Sequence, residues 1–271
     1  SPGSAWLCPT FYSEEAIAVK ATVFEAGGYR YVPSGVLQYS GGVAAQPGYT
    51  IRRVVFSEPV PVKEGFARIQ KILEAEGRPL TAFCACELRP PAPATATGPP
   101  TPNAEYVQTL KDWGICDGVN NPVARSNVAP AVNPPTEPSF YAFSYTVPCD
   151  TDENTFVVAG SSEVPEGKGN YKDHLVRYQD ISPDAIHEKG RGVLAEMERR
   201  MAVLGYNWDD CTGTQLYIVH NPHPFLEEEF AKRGAMRFGL TWHYVRPPVI
   251  DMEFEMDCRR VLHERVELVD A

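Results

Sequence analysis

Val123-Ala124-Arg125-Ser126-Asn127-Val128 and Leu240-Thr241-Trp242-His243-Tyr244-Val245 decide how this chain is read, because they close two stretches built on one plan. The first stretch opens with Gln38-Tyr39-Ser40-Gly41-Gly42. It continues through a helical segment ending Ala75-Glu76-Gly77 and then Asn103-Ala104-Glu105-Tyr106. The second opens with Val158-Ala159-Gly160-Ser161-Ser162 and continues through a helical segment ending Val203-Leu204-Gly205 and a short helix near Phe225 to Ala231. Ser40 and Ser161 are 121 positions apart, and Val128 and Val245 are 117 apart. Spacing that steady across a domain's length points to a duplication. Residues 1–148 and 149–271 are therefore expected to be two domains, and only the first copy carries an arginine at the shared position.

Local patterns fill in the plan. Arg30 to Val43, with Tyr31, Leu37, Tyr39 and Val43, reads as paired strands around a turn at Pro33-Ser34-Gly35. Phe66, Ile69, Ile72 and Leu73 recur at helical spacing between Val62 and Glu76, and Gly77 supplies a stop. Thr81 to Leu88 reads as a strand, Arg89 to Pro102 as a loop, and Asn103 to Trp113 as a helix with Asn103 in the N-cap position. Arg125 to Val132 and Ser139 to Val147 read as strands on either side of Asn133-Pro134-Pro135.

In the second half Thr155 to Gly160 reads as a strand, followed by a polar insertion from Pro165 to Gln179. Ser182-Pro183-Asp184 then opens a long helix whose Ile186, Val193, Leu194, Met197, Met201 and Leu204 form one stripe. Gln215 to His220, Thr241 to Arg246 and Ile250 to Cys258 complete the strands. The predicted fold class is α+β, with two helices packed on one face of a mixed sheet in each domain.

Composition excludes several classes. The chain has 271 residues, 43% of them apolar, which supplies enough material for two cores. A formal charge of −10 with no Lys/Arg cluster argues against nucleic acid or an anionic membrane as partner. A single buried arginine can still set a pocket's local field for a small anion. Seven cysteines with no zinc spacing predict buried free thiols in a reducing cytoplasm. Cys84 and Cys86 are expected to share a strand face. His220-Asn221-Pro222-His223 lacks a third ligand at a recognisable spacing, so neither metal nor cofactor is expected. There is no apolar run near 18 residues and no signal-peptide pattern.

The residues carrying the repeat resemble the RidA/YjgF superfamily of enamine/imine deaminases. The first half shows Ser40-Gly41, Glu76-Gly77, Asn103-x-x-Tyr106 and the six-residue arginine strand, with Val123 where the family has proline. The second half keeps the layout and a closing acidic stretch, Asp251-Met252-Glu253-Phe254-Glu255. A tandem chain of this length is further similar to deaminases of 2-aminomuconate and its 5-chloro analogue. The resemblance implies two chorismate-mutase-like domains and a homo-oligomer, a trimer or hexamer, with sites where domains meet. It also implies hydrolysis of a small carboxylate-bearing enamine or imine, with release of ammonia and a 2-oxo or 2-hydroxy acid. A non-catalytic ligand-binding module and a chorismate-type hydrolase on the same fold are the competing readings.

The same resemblance assigns candidate residues. Arg125 binds the substrate carboxylate, a role that suits a planar pair of donors fixed on a strand. Asn103, Ser40 and Gly41 present polar groups to the other end of the molecule. Tyr29 and Tyr31 compete for the family's N-terminal tyrosine. The family's glutamate has no counterpart in Ser139-Phe140-Tyr141-Ala142-Phe143, but Glu253 stands at that place in the second half. Trp242 replaces the arginine there, and His243 and Tyr244 stand where Ser126 and Asn127 stand in the first half. Complementary halves suggest one shared site where domain one meets domain two, in the same or a neighbouring chain, with Arg125 as anchor and Glu253 as acid/base; a degenerate second domain with Glu253 on a solvated strand is the alternative.

Overall fold

The structure is a computed structural model in which residues 19–95, 101–165 and 170–269 are described. Two sheets carry the chain. The five-stranded sheet has the order β14-β4-β8-β5-β6, built from β4 (Tyr49–Pro61), β5 (Phe83–Arg89), β6 (Ala124–Asn127), β8 (Ser139–Pro148) and β14 (His263–Glu267). The seven-stranded sheet has the order β1-β2-β3-β9-β13-β10-β11. Its strands are β1 (Thr22–Phe24), β2 (Tyr29–Val32), β3 (Gly42–Ala45), β9 (Phe156–Ser162), β10 (Gly213–Tyr217), β11 (Thr241–His243) and β13 (Glu255–Arg260). A short ribbon of β7 (Ala129–Pro130) and β12 (Val245–Arg246) ties the ends of the sheets together.

Within each sheet four strands repeat one arrangement. β4-β8-β5-β6 and β9-β13-β10-β11 both pair antiparallel, antiparallel, then parallel. The sheets also exchange ends: β3 pairs with β9, and β14 pairs with β4. Residues on either side of position 148 are thus hydrogen-bonded into each other's sheets.

The helices lie on the outer faces. α1 (Val62–Ala75) and α2 (Thr101–Asp112) cover the five-stranded sheet, enclosing Phe66, Ile69, Leu73, Tyr106 and Leu110 against Phe83, Phe140 and Phe143. α3 (Pro183–Leu204) covers the seven-stranded sheet with its predicted stripe, all six residues of which are buried. Ser182 caps α3 by accepting from the Ala185 amide at 3.3 Å, and Gly205 ends it at φ 93°. Gly65 lets α1 approach closely, since a Cβ there would run into the Phe140 ring.

The inner faces of the sheets meet in a third core that contains Tyr29, Tyr31, Val43, Ile51, Cys84, Ala124 and Ala159. The layers are helix, sheet, sheet, helix, and the class is α+β as expected.

Several expectations shift. Leu37 and Tyr39 lie in the β2–β3 connection rather than on a strand, and β4 and β14 are strands beyond those expected. α2 begins two residues before Asn103, so Asn103 is its third residue and not its N-cap. Glu253 precedes β13 in an irregular segment that includes Asp251 at φ 76°, so the acidic stretch is only partly strand. Cys84 and Cys86 face opposite sides, because a register shift between Phe83 and Ala85 interrupts the alternation. Of the six described cysteines, all free, five are buried and Cys149 is partly exposed. Cys8 lies outside the described residues.

Candidate active site

β6 is an edge strand whose side chains alternate. Ala124 and Ser126 face the other sheet, while Arg125 points to the helix side, opposite Cys86 of β5. Arg125 is 7% exposed, and its Nη1 donates to Asn103 Oδ1 at 2.8 Å. Its guanidinium carbon lies 5.1 Å from the Tyr106 ring centroid and 5.7 Å from that of Tyr39, within reach of a cation–π attraction. Among the described residues no carboxylate pairs with it. Most buried guanidinium groups are paired with an acid, as Arg53 and Arg200 are here; Arg125 departs from that pattern together with Arg89, which is 3% exposed and also makes no ion pair among the described residues.

The floor of the site is neutral. Tyr106 is fully buried, and its hydroxyl contacts Cys86 Sγ at 3.4 Å. Burial pushes the Cys86 thiol up to about 12, more than Tyr106 and Arg125 pull it down. It is therefore a thiol and not a nucleophile at neutral pH. Burial raises Tyr106 as well, so its hydroxyl stays protonated.

Ser40 and Gly41 lie beside this site and serve mainly to build it. Ser40 bridges to Ala124, its amide donates to Val123 O at 2.8 Å, and its hydroxyl donates to Pro122 O at 2.8 Å. The Gly41 amide donates to Val32 O, and its carbonyl accepts from the Ala159 amide. These bonds fix the backbone that carries Tyr39 to Arg125. Tyr39 is the site residue that sequence reasoning missed, although it sits inside the motif that defined the repeat.

Tyr29 and Tyr31 are placed elsewhere. Both are buried between the sheets, and the Tyr29 hydroxyl donates to Phe83 O at 3.1 Å. β2 alternates so that both rings face the inter-sheet core, away from the helix side where Arg125 lies.

The second-half candidates separate into two groups. His243 turns inward, where its Nε2 meets Gln215 Oε1 at 2.9 Å and its ring packs on Tyr141 and Tyr217. Burial, with Arg89 nearby, lowers it to about 4, so the imidazole is neutral. It belongs to a buried polar layer between the sheets. There Arg53 grips Glu87 with two bonds of 2.8 and 3.0 Å, and Gln215 Nε2 donates to Glu87 and Asp257. Tyr217 and Ser126 both donate to Asp257 Oδ2 at 2.6 Å. A small cavity lies in this layer, bounded by Arg53, Glu87, Gln215, Asp257 and Arg259 and reaching the β5–β6 backbone at Cys86 and Arg125. Arg53, Glu87, Gln215 and Asp257 satisfy one another, whereas Arg259 Nη1 is buried with no hydrogen-bond partner among the described residues.

Glu253 and Trp242 form the other group, on the helix side of the seven-stranded sheet. Glu253 Oε2 meets His220 Nε2 at 2.7 Å and lies 3.6 Å from Arg246 Nη1. Trp242 donates to Ile218 O at 3.0 Å. Neither contacts Arg125 within the chain, because each is held by partners at the ends of β10 to β12. Among the described residues no set of three or more His, Cys, Asp or Glu side chains is placed to hold a metal ion, and no helix is long and apolar enough to cross a membrane.

Comparison with known proteins adds to this geometry. A 2-amino-5-chloromuconate deaminase of Comamonas testosteroni is 47% identical over 248 residues, covering 91% of this chain and 98% of that protein. A chorismatase crystal structure matches with a TM-score of 0.50 at 9% identity, covering 82% of this chain and 77% of that one. The likeness extends to the fold. The E. coli YjgF gene product matches 40% of this chain and 80% of its own, at 16% identity and a TM-score of 0.30. The model of the family described as 2-aminomuconate deaminase CnbZ matches residues 21–265. The chain belongs to that family of deaminases, enzymes that act on a carbon–nitrogen bond.

Proposed function

We propose that the Arg125 site hydrolyses a small carboxylate-bearing enamine such as 2-aminomuconate or its 5-chloro analogue. The observation that carries this reading is a buried guanidinium, fixed by Asn103 and two tyrosine rings, that no carboxylate pairs with among the described residues. Such a group is short of an anion, and a substrate carboxylate supplies one in the planar geometry it prefers.

The chemistry asks little of the protein. An enamine tautomerises to an imine, whose carbon is electrophilic. Water adds, the carbon–nitrogen bond breaks, and ammonia leaves with the proton that water gave up, yielding a 2-oxo acid or its 2-hydroxy enol. Arg125 anchors the carboxylate beside the reacting carbon, and the Asn103 amide nitrogen faces the amino end while its oxygen steadies Arg125. Neutral Tyr106 and Cys86 close the pocket without adding a competing charge.

The two four-strand arrangements support reading the chain as tandem RidA-like units divided near residue 148 that exchange terminal strands. Assembly into a trimer or hexamer is the companion reading, since Val266 on β14, the outer strand of its sheet, and Leu268 just after it are exposed. Five buried thiols fit a reducing cytoplasm. The test is ammonia release from 2-aminomuconate by the wild-type and Arg125→Ala chains, with chorismate as a control substrate. Loss of at least a hundredfold in kcat/KM is expected, and an unchanged rate, or pyruvate release from chorismate alone, overturns the reading.

A further inference from the structure

The second half holds a cluster that the Arg125 site leaves unused. β6 and β11 are both edge strands paired parallel to a neighbour, with Arg125 opposite Cys86 and Trp242 opposite Leu216. Cys86 and Leu216 both face the helix-side cores. Trp242 therefore occupies, in the seven-stranded sheet, the place that Arg125 occupies in the five-stranded one. α2 buries Arg125, but the corresponding cover in the second half is only the turn His223–Phe225 and the π-helical turn Leu226–Ala231. Trp242 is left 42% exposed.

The surroundings of Trp242 are ordered. Its N–H is fixed on Ile218 O, and its ring stands edge-on to His223 at 6.3 Å between centroids. Two residues beyond Ile218, His220 Nε2 meets Glu253 Oε2 at 2.7 Å, and Arg246 Nη1 reaches the same oxygen at 3.6 Å. The Arg246 side chain is 48% exposed and its contact with Glu253 is loose, so its other donors face solvent.

We propose that this end of β10 and β11 is a second ligand site, which takes a small planar unsaturated carboxylate. Trp242 provides the stacking face, Arg246 the carboxylate partner, and His220, held by Glu253, a hydrogen bond to the ligand's other polar end. A flat conjugated acid matches an indole face and a guanidinium carried four residues apart on the β11–β12 segment. The His220 hydrogen bond holds Glu253 below the usual carboxylate range, so it is ionised and fixes one imidazole nitrogen as the donor toward itself. The other ring nitrogen is assigned to the ligand. The location rests on this geometry alone, whereas the ligand class rests on the reading of Arg125.

The test uses muconate, a stable unsaturated dicarboxylate, titrated into the full-length Arg125→Ala chain and followed by calorimetry and tryptophan fluorescence. One equivalent should bind per chain. Arg246→Ala on that background should weaken binding at least tenfold, and Trp242→Phe should remove the fluorescence change. Melting temperature checks the fold of each variant, and both positions are exposed enough to tolerate replacement. Absence of binding to the Arg125→Ala chain, or binding indifferent to Arg246→Ala and Trp242→Phe, overturns the second site. Full-rate deamination by Arg125→Ala would instead sink the Arg125 reading, while muconate binding that depends on Arg246 and Trp242 would still establish this site.

Discussion

Glu255→Gln should make the chain more stable in alkaline solution than the natural protein. Glu255 opens β13 in the buried space between Ser162, Asp257, Glu163 and Gly160, and Ser162 Oγ donates to its Oε2 at 2.9 Å. Burial raises it from its ordinary 4.5 to about 8, with Asp257 and Glu163 adding to the effect and Ser162 and Arg200 opposing it. The folded chain thus keeps a proton that the unfolded chain releases between these pH values. Stability from this group is fully present below 4.5 and is lost as pH rises toward 8.

At about 1.4 kcal/mol per pH unit, the loss from pH 5.5 to 8 is about 3 kcal/mol. Glutamine has nearly the same volume, keeps an acceptor for Ser162 and does not titrate. Urea unfolding midpoints of the two chains at several pH values should therefore diverge, with Glu255→Gln gaining by about 3 kcal/mol across that range. Curves that stay parallel would show that Glu255 is already ionised when folded, and the reasoning fails.

Other substitutions probe other layers. Glu87→Gln leaves Arg53 without its buried partner and should cost about 3–5 kcal/mol, read as a melting temperature lower by about 10 °C. Gly65→Ala gains about 1 kcal/mol of helix propensity but forces a Cβ into the Phe140 ring, which packs edge-on against Phe66 at 5.0 Å. Net destabilisation is expected, and a rise in melting temperature contradicts it. Asn103→Ala removes a hydrogen bond to a charged group, worth about 1.5–3 kcal/mol. It should lower kcat/KM for 2-aminomuconate at least tenfold, mainly through KM, and lower the melting temperature by about 5 °C.

How much of this the sequence revealed depends on how local each signal was. α3 was legible from end to end, because Ser182-Pro183, one apolar stripe and Gly205 each act within a turn or two. β4 was not, since its burial follows no two-residue alternation and Arg53, in its middle, is buried only because Glu87 of a distant strand meets it. β14 reads as a charged surface segment, and its parallel pairing with β4 makes it a strand. A bulge turned Cys84 away from Cys86, and nothing in three residues announces that.

At the site, Arg125 and Asn103 were legible from motif and spacing, and the structure joins them by a hydrogen bond. Tyr39 escaped because its alternation with Leu37 and Val43 imitates a strand, although it lies in the β2–β3 connection inside the motif. Expecting Glu253 to meet Arg125 required knowing how two sheet edges lie in space, and His220 and Arg246, which hold it, come from separate segments.

The account turns on where a substrate carboxylate sits. A crystal structure with bound muconate should place one carboxylate within about 3 Å of the Arg125 guanidinium, in the spacing of a charge-assisted hydrogen bond, with Asn103 still in contact. Occupancy at the inter-sheet cavity or at Trp242, with Arg125 bare, would contradict it.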